Sequence, residues 1–193
     1  MRTIRAITKR QILEGIDGHP FAEVEWNPTW GNPPPGQLIP CNMFGISKRK
    51  YQYAMWTEVF DEVGGIGFLT YEDGKLVGQM IFLPKKYARR IGLPTSRTNE
   101  NLESTMVIGC LVVVREHLNE GIASAMIREL MSLCRNHGFR RIETSVDVRP
   151  PGKAEGNTSF FPFRKFGFTI DETSQGWESR PETRMCSCHI LQV

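Results

Sequence analysis

Apolar and polar positions along the chain change period several times, and each change marks an element. Thr3–Ile7 predicts a short strand, and Thr8 followed by Gln11 has the spacing of a helix capping box. Ile12, Leu13 and Ile16 then form an apolar stripe that Gly18 ends. Ser47 opens a predicted helix to about Glu62, with Tyr51, Met55, Val59 and Trp56 facing inward and Gly64-Gly65 stopping it. Two β-rich runs, 67–71 and 76–82, flank Asp73-Gly74 and predict an antiparallel hairpin. A basic, irregular stretch follows, from Lys85 to Asn101. Thr105–Val114 is nearly continuously apolar, as a central strand covered on both faces would be.

From Gly121 to His137 the period returns to helical, through Ile122, Met126, Leu130, Leu133 and Cys134, and Gly138 caps the end. Ile142, Thr144, Val146 and Val148 alternate as a strand, broken by Pro150-Pro151-Gly152. A short helix is predicted over 159–166, interrupted early by Pro162, and 168–170 and 185–193 read as closing strands. The order is mixed α/β (α+β), with helices and strands interleaved in one chain.

Residues 19–46 fit no regular element, because Pro20, Pro28, Pro33, Pro34, Pro35 and Pro40 forbid one. Trp26, Trp30 and Phe44 are costly to leave in water, so this insertion reads as an ordered loop within a single domain spanning 1–193, placed to wall a substrate. Trp26, Trp30, Tyr51, Tyr53 and Trp56 make an aromatic zone before the hairpin, for which core packing is the plain reading.

Composition narrows the function. The 193 residues carry a net charge of only +3, unlike a dedicated nucleic-acid binder. No apolar run is long enough to span a bilayer, and the start of the chain lacks a signal-peptide core, so no membrane partner is expected. Five cysteines, an odd number, suit a reducing, cytoplasmic setting.

Candidate chemistry concentrates where the apolar strand meets the long helix. A helix N-terminus presents backbone amides without intrahelical partners at the positive end of the dipole. Gly121 and Ala123 are small where a diphosphate would have to approach those donors, and Ser124 adds a hydroxyl. A glycine-led turn is also an ordinary structural feature, and the G-x-G-x-x-G dinucleotide fingerprint is absent. Cys186-Ser187-Cys188-His189 has metal-ligand residue types, but both thiols fall on one strand face with His189 opposite, so no metal is expected. Cys110 reads as a buried thiol, and His117 and the basic runs 48–50 and 85–90 as solvated groups that could also meet an anion.

Cys110–Phe168 resembles the acetyl-CoA-binding core of the GNAT superfamily of N-acetyltransferases. The family's phosphate loop, [Arg/Gln]-x-x-Gly-x-[Gly/Ala] after an apolar strand, aligns with Leu118-Asn119-Glu120-Gly121-Ile122-Ala123 after Leu111-Val112-Val113. A second motif, an Asn before an aromatic helix ending in Gly-Phe, aligns with Asn157 and Phe163 to Phe168. The resemblance implies a mostly antiparallel, twisted sheet whose central strand pair splays, flanked by helices. It implies that a pantetheine arm pairs with Leu111, Val112 and Val113, and that amides of 119–123, with Ser124, hold the diphosphate. An unidentified primary amine would attack the thioester directly. Homodimers are common among proteins of this resemblance.

The chain departs from the family pattern at three places. Leu118 replaces the usual Arg or Gln. Phe163 stands where many members carry a Tyr that protonates the leaving thiolate. No carboxylate lies within 106–113, which leaves Glu103 and Asp147 as the candidates for a general base, each with an ordinary structural reading beside it. These departures keep a catalytically silent CoA-binding module open as the alternative to an N-acetyltransferase.

Overall fold

A computed structural model describes residues 1–14, 49–90, 93, 95–96, 101–148, 160–171, 174 and 183–190, with backbone alone at 12–14, 49–55, 115 and 183. The predicted insertion 19–46, with Cys41, and Asn157 lie outside the described residues.

The chain opens with β1 (Arg2–Ala6) and α1 (Lys9–Glu14). The capping box forms: the Thr8 amide donates to Gln11 Oε1 at 3.0 Å, and the Gln11 amide donates to Thr8 Oγ1 at 3.2 Å. Next come α2 (Arg49–Val63), β2 (Gly67–Glu72) and β3 (Lys75–Pro84). Trp56 and Val59 are buried, as their spacing predicts. Asp73 and Gly74 both take positive φ, 47° and 81°, the geometry of a tight hairpin turn matched to strand twist.

The stretch after β3 departs from the irregular one expected. Lys85–Arg90 forms a helix, α3. Its sequence, Lys-Lys-Tyr-Ala-Arg-Arg, has no apolar period to reveal it, and only Lys85, Tyr87 and Ala88 are buried. Then follow β4 (Thr105–Val113), a 3₁₀ turn at Arg115–His117, α4 (Ile122–Asn136) and β5 (Arg141–Asp147). The chain closes with α5 (Phe161–Arg164), β6 (Thr169–Ile170) and β7 (Thr183–His189). Pro162 sits in the first turn of α5, where its missing N–H has no intrahelical role, so it opens that helix rather than interrupting it.

The seven strands form one sheet in the order β1-β2-β3-β4-β5-β7-β6. Every neighbouring pair is antiparallel except β4 with β5. Burial is deepest in the centre, where Met80, Ile81, Phe82, Leu83, Met106 and Ile142 are closed to solvent. α4 lies directly on β3: a Cβ added at Gly78 would come within 2.8 Å of Ile122 Cγ2 and 3.3 Å of Met126 Cε, so the glycine permits this approach. Among the described residues no helix is long and apolar enough to cross a membrane.

Candidate acyl-donor site at the open strand seam

β4 and β5 run parallel and pair at only four positions: Thr105 with Arg141, Met106 with Ile142, Val107 with Glu143, and Ile108 with Thr144. Beyond that point the two strands part. Cys110–Val113 stays paired to β3, and Ser145–Asp147 stays paired to β7, but among the described residues the β4–β5 ladder does not continue past Ile108 and Thr144. The cause is visible in β4. Its register against β3 shifts between Ile81 and Phe82, where Ile81 faces Cys110 and Phe82 faces Ile108, so Gly109 is an extra residue. Such a bulge bends its strand and sharpens its twist. Thr144 Oγ1 donates to the Ile108 carbonyl at 3.0 Å, at the last paired step.

The open edge of β4 leads into the phosphate-loop motif. Asn119 and Gly121 hold φ of 66° and 82°, turning the chain sharply into α4. The His117 amide donates to the Val114 carbonyl and the Ala125 amide to the Gly121 carbonyl, both at 2.9 Å. Among the described residues, the amides of 121–124 reach no backbone carbonyl. The N-cap residue, Gly121, has no side chain with which to cap the helix. Those donors and the dipole end of a 15-residue helix together favour an anion.

The side chains of the motif divide in two. Leu118, Asn119 and Glu120 are exposed, Leu118 to 53%. Ile122 and Ser124 are buried, and Ala123 is half-buried, so these positions offer the turn their backbone. Glu120 is not free. Arg2 reaches across from β1: Nη1 donates to the Glu120 carbonyl at 3.0 Å, and Nη2 to Glu120 Oε2 at 2.5 Å and to Glu72 Oε2 at 2.9 Å. His117 Nδ1 lies 3.1 Å from Glu72 and 3.2 Å from Glu120. These contacts, that of His117 first and that of Arg2 next, hold the Glu120 carboxyl below its ordinary range. Glu72, His117 and Glu120 bring one donor atom each within 4.8 Å of one another. Two of them, Glu72 and Glu120, hold the Arg2 guanidinium.

The two carboxylates singled out in the sequence lie in different settings. Glu103 is exposed at the closed end of the seam and accepts from Lys86 Nζ at 2.7 Å. It precedes Ile108 by five residues, roughly 16 Å along an extended chain. Asp147 is fully buried, three residues beyond the fork on β5. Strand alternation puts Asp147 on the face of Glu143 and Ser145, opposite Thr144. Phe163 is fully buried and packs on Phe168, ring centroids 5.1 Å apart.

Sequence reading missed a second polar group. Lys85 and Glu143, 58 residues apart, are 3.2 Å apart with side chains 1% exposed. Ser96 closes the cluster: its hydroxyl donates to Glu143 Oε1 at 2.7 Å, and its amide to Oε2 at 3.1 Å. Arg141 Nε stands 3.1 Å from the same carboxylate, out of line for a hydrogen bond. Burial pushes the Lys85 ammonium down from the ordinary lysine range, against the pull of Glu143. The cysteines behave as the pattern suggests: Cys110, Cys134, Cys186 and Cys188 are free and buried, while His189 is exposed.

A mixed sheet with one parallel, half-open strand pair and an uncapped helix after it is the architecture of CoA-dependent acetyltransferases. The profile of the acetyltransferase (GNAT) family matches residues 37–157, and the chain belongs to that family. The match begins inside the segment that the motifs leave unassigned. No curated relative matches the sequence. Among solved structures, a GNAT-family acetyltransferase from Streptococcus pneumoniae superposes with a TM-score of 0.63 at 14% identity, covering 99% of this chain and 100% of that one. The acetyltransferase yncA of Salmonella typhimurium, solved with acetyl-CoA, gives 0.58 at 13% identity over 100% of this chain and 95% of that one. An N-acetyltransferase from Staphylococcus aureus Mu50 gives 0.57 at 16%, covering 100% and 98%. At these identities the likeness is one of fold.

Proposed function

We propose that the chain is a single-domain N-acetyltransferase that moves an acetyl group from acetyl-CoA to a primary amine. The observation that carries this reading is the seam: the ladder stops at Ile108 and Thr144 while β4 runs on to Val113 and β5 to Asp147. The parted edge gives a pantetheine amide chain backbone groups to pair with along Leu111, Val112 and Val113. The amides of Gly121, Ile122, Ala123 and Ser124, next to Asn119 and Glu120, then meet the diphosphate. This arrangement sets the thioester near the fork. There the amine nitrogen attacks the carbonyl carbon, a C–N bond forms, the C–S bond breaks, and the CoA thiolate leaves. The ammonium proton must go to a base. Asp147, buried beyond the fork, suits that place better than Glu103, which is exposed and held by Lys86. Catalysis on this plan is chiefly the alignment of two reactants. Asn157 and the aromatic zone of 26–56 stay proposals of the motif alone.

A second reading has its own observation. Phe163 is sealed from solvent and has no hydroxyl, so it donates no proton to the thiolate. A CoA-binding module without turnover fits that. The four described cysteines are free, which suits a reducing, cytoplasmic setting, and a homodimer stays a proposal of the family resemblance.

Calorimetry with acetyl-CoA and with CoA decides whether the site exists, and no heat at millimolar ligand overturns both readings. Thiol release across a panel of amines between pH 6 and 9 separates them: turnover supports the transferase, and binding without turnover supports the silent module.

A further inference from the structure

The phosphate turn carries an acidic residue, Glu120, immediately before the helix whose first amides are unpaired. Physical chemistry makes this a hazard for anion binding. A carboxylate beside a helix N-terminus is a favourable partner for those same amides and for the positive end of the dipole. Left to itself, Glu120 would cap its own helix and repel a diphosphate. In the structure it does neither, because its carboxylate is turned onto Arg2 and His117.

We propose that Arg2 is a positioning residue for acyl-CoA binding: it holds Glu120 off the amides of 121–124 and so keeps the turn open to the diphosphate. Four hydrogen bonds make the restraint specific. Nη1 fixes the Glu120 carbonyl, Nη2 fixes its carboxylate, and two bonds to Glu72, at 2.9 and 3.0 Å, anchor the guanidinium itself to β2. The planar fork can serve both carboxylates and the carbonyl together, which a lysine ammonium on a flexible stem cannot. The strand beneath is anchored as well: the Met1 ammonium pairs with Asp73, and the Asp73 amide donates to the Met1 carbonyl at 3.3 Å. The guanidinium also brings positive charge to a turn where Leu118 offers none.

This inference rests on the turn being the diphosphate site, and a four-protein comparison separates the two. Acetyl-CoA dissociation constants are measured by calorimetry for wild type, Arg2→Ala, Glu120→Gln and Arg2→Ala/Glu120→Gln. Arg2→Ala should weaken binding about tenfold, equivalent to about 1.4 kcal/mol. Glu120→Gln added to Arg2→Ala should recover binding to within about twofold of wild type. A merely structural role for Arg2 predicts no such rescue. Arg2→Lys should fall between wild type and Arg2→Ala. In the ligand-free protein, Arg2→Ala should also slow hydrogen exchange at amides 121–124, as Glu120 swings over and caps them. Equal affinity of Arg2→Ala and wild type, or a double variant as weak as Arg2→Ala, overturns the inference while leaving the diphosphate site standing. A wild-type protein that ignores millimolar acetyl-CoA overturns the transferase reading and this inference with it.

Discussion

The Thr144 hydroxyl donates to the Ile108 carbonyl across 3.0 Å at the step where β4 and β5 stop pairing. The carbonyl belongs to the residue just before the extra Gly109, where strand curvature would pull it from the next amide across the seam. A buried carbonyl left without a donor is costly, so the hydroxyl satisfies the last group of the closed ladder and marks where the open one begins. Valine at 144 keeps the shape and removes the donor. Thr144→Val should cost about 1–3 kcal/mol, with about 2–4 °C of melting temperature for each kcal/mol at this chain length. Thermal denaturation reads it, and an unchanged melt would show that the contact carries no net stability.

Gly121 offers a test of the turn in which no distant neighbour crowds a first side-chain carbon. A Cβ placed there meets nothing within 4 Å, so the strain it brings comes from the local backbone at a φ of 82°. Gly121→Val should destabilise the protein by about 1–2 kcal/mol, because a β-branched residue resists the left-handed region. By tilting the amides of 121–124, it should also weaken acetyl-CoA binding more than tenfold, with Gly121→Ala milder. Calorimetry on the folded variant checks this, and undiminished affinity would move the diphosphate elsewhere.

The elements most legible in the sequence are those whose side chains obey one period over many residues. β4 is an apolar run with one bulge, and α4 holds a single stripe from Ile122 to Cys134, so both are found to within a residue or two. The Thr8–Gln11 box and the Asp73-Gly74 turn are read from residue types that only one local geometry favours. What stays hidden depends on distant partners. Lys85 is a poor candidate for burial until Glu143 stands beside it, and nothing local links Arg2 to a carboxylate 118 positions away. The open seam was likewise legible through a family resemblance and not through the apolar pattern, which gives no count of paired positions.

The Lys85–Glu143 pair predicts an asymmetry between single and double variants. Removing Lys85 leaves the Glu143 carboxylate with Arg141, 3.1 Å away, as its remaining cation, and breaking a buried pair in this way costs up to about 3–5 kcal/mol, whereas replacing the pair by apolar residues is often near neutral. Lys85→Met should therefore lower the denaturant midpoint far more than Lys85→Met/Glu143→Leu. Ser96 tempers the rescue, since its amide and hydroxyl both donate to Glu143. Equal losses in single and double variants would mean that the pair couples to nothing.

The buried thiols make stability fall in the alkaline range. Burial, first of all, pushes Cys188 up to about 11, and Cys134 and Cys186 higher still. In the unfolded chain these thiols ionise near pH 8.5, while in the folded protein they keep their protons. Between those limits the folded state binds more protons than the unfolded one, so stability declines as pH rises above about 9, by up to about 1.4 kcal/mol per pH unit for each thiol. Below pH 8 this contribution is flat. Urea unfolding at pH 7.5, 9 and 10 should show the decline, and Cys134→Ala, which removes one such thiol at some cost in packing, should make it shallower. The same protonation blocks alkylation, since only the thiolate reacts. Iodoacetamide at pH 8 should leave Cys134, Cys186 and Cys188 unmodified until denaturant is added, and rapid labelling of the native protein at these positions would contradict their burial.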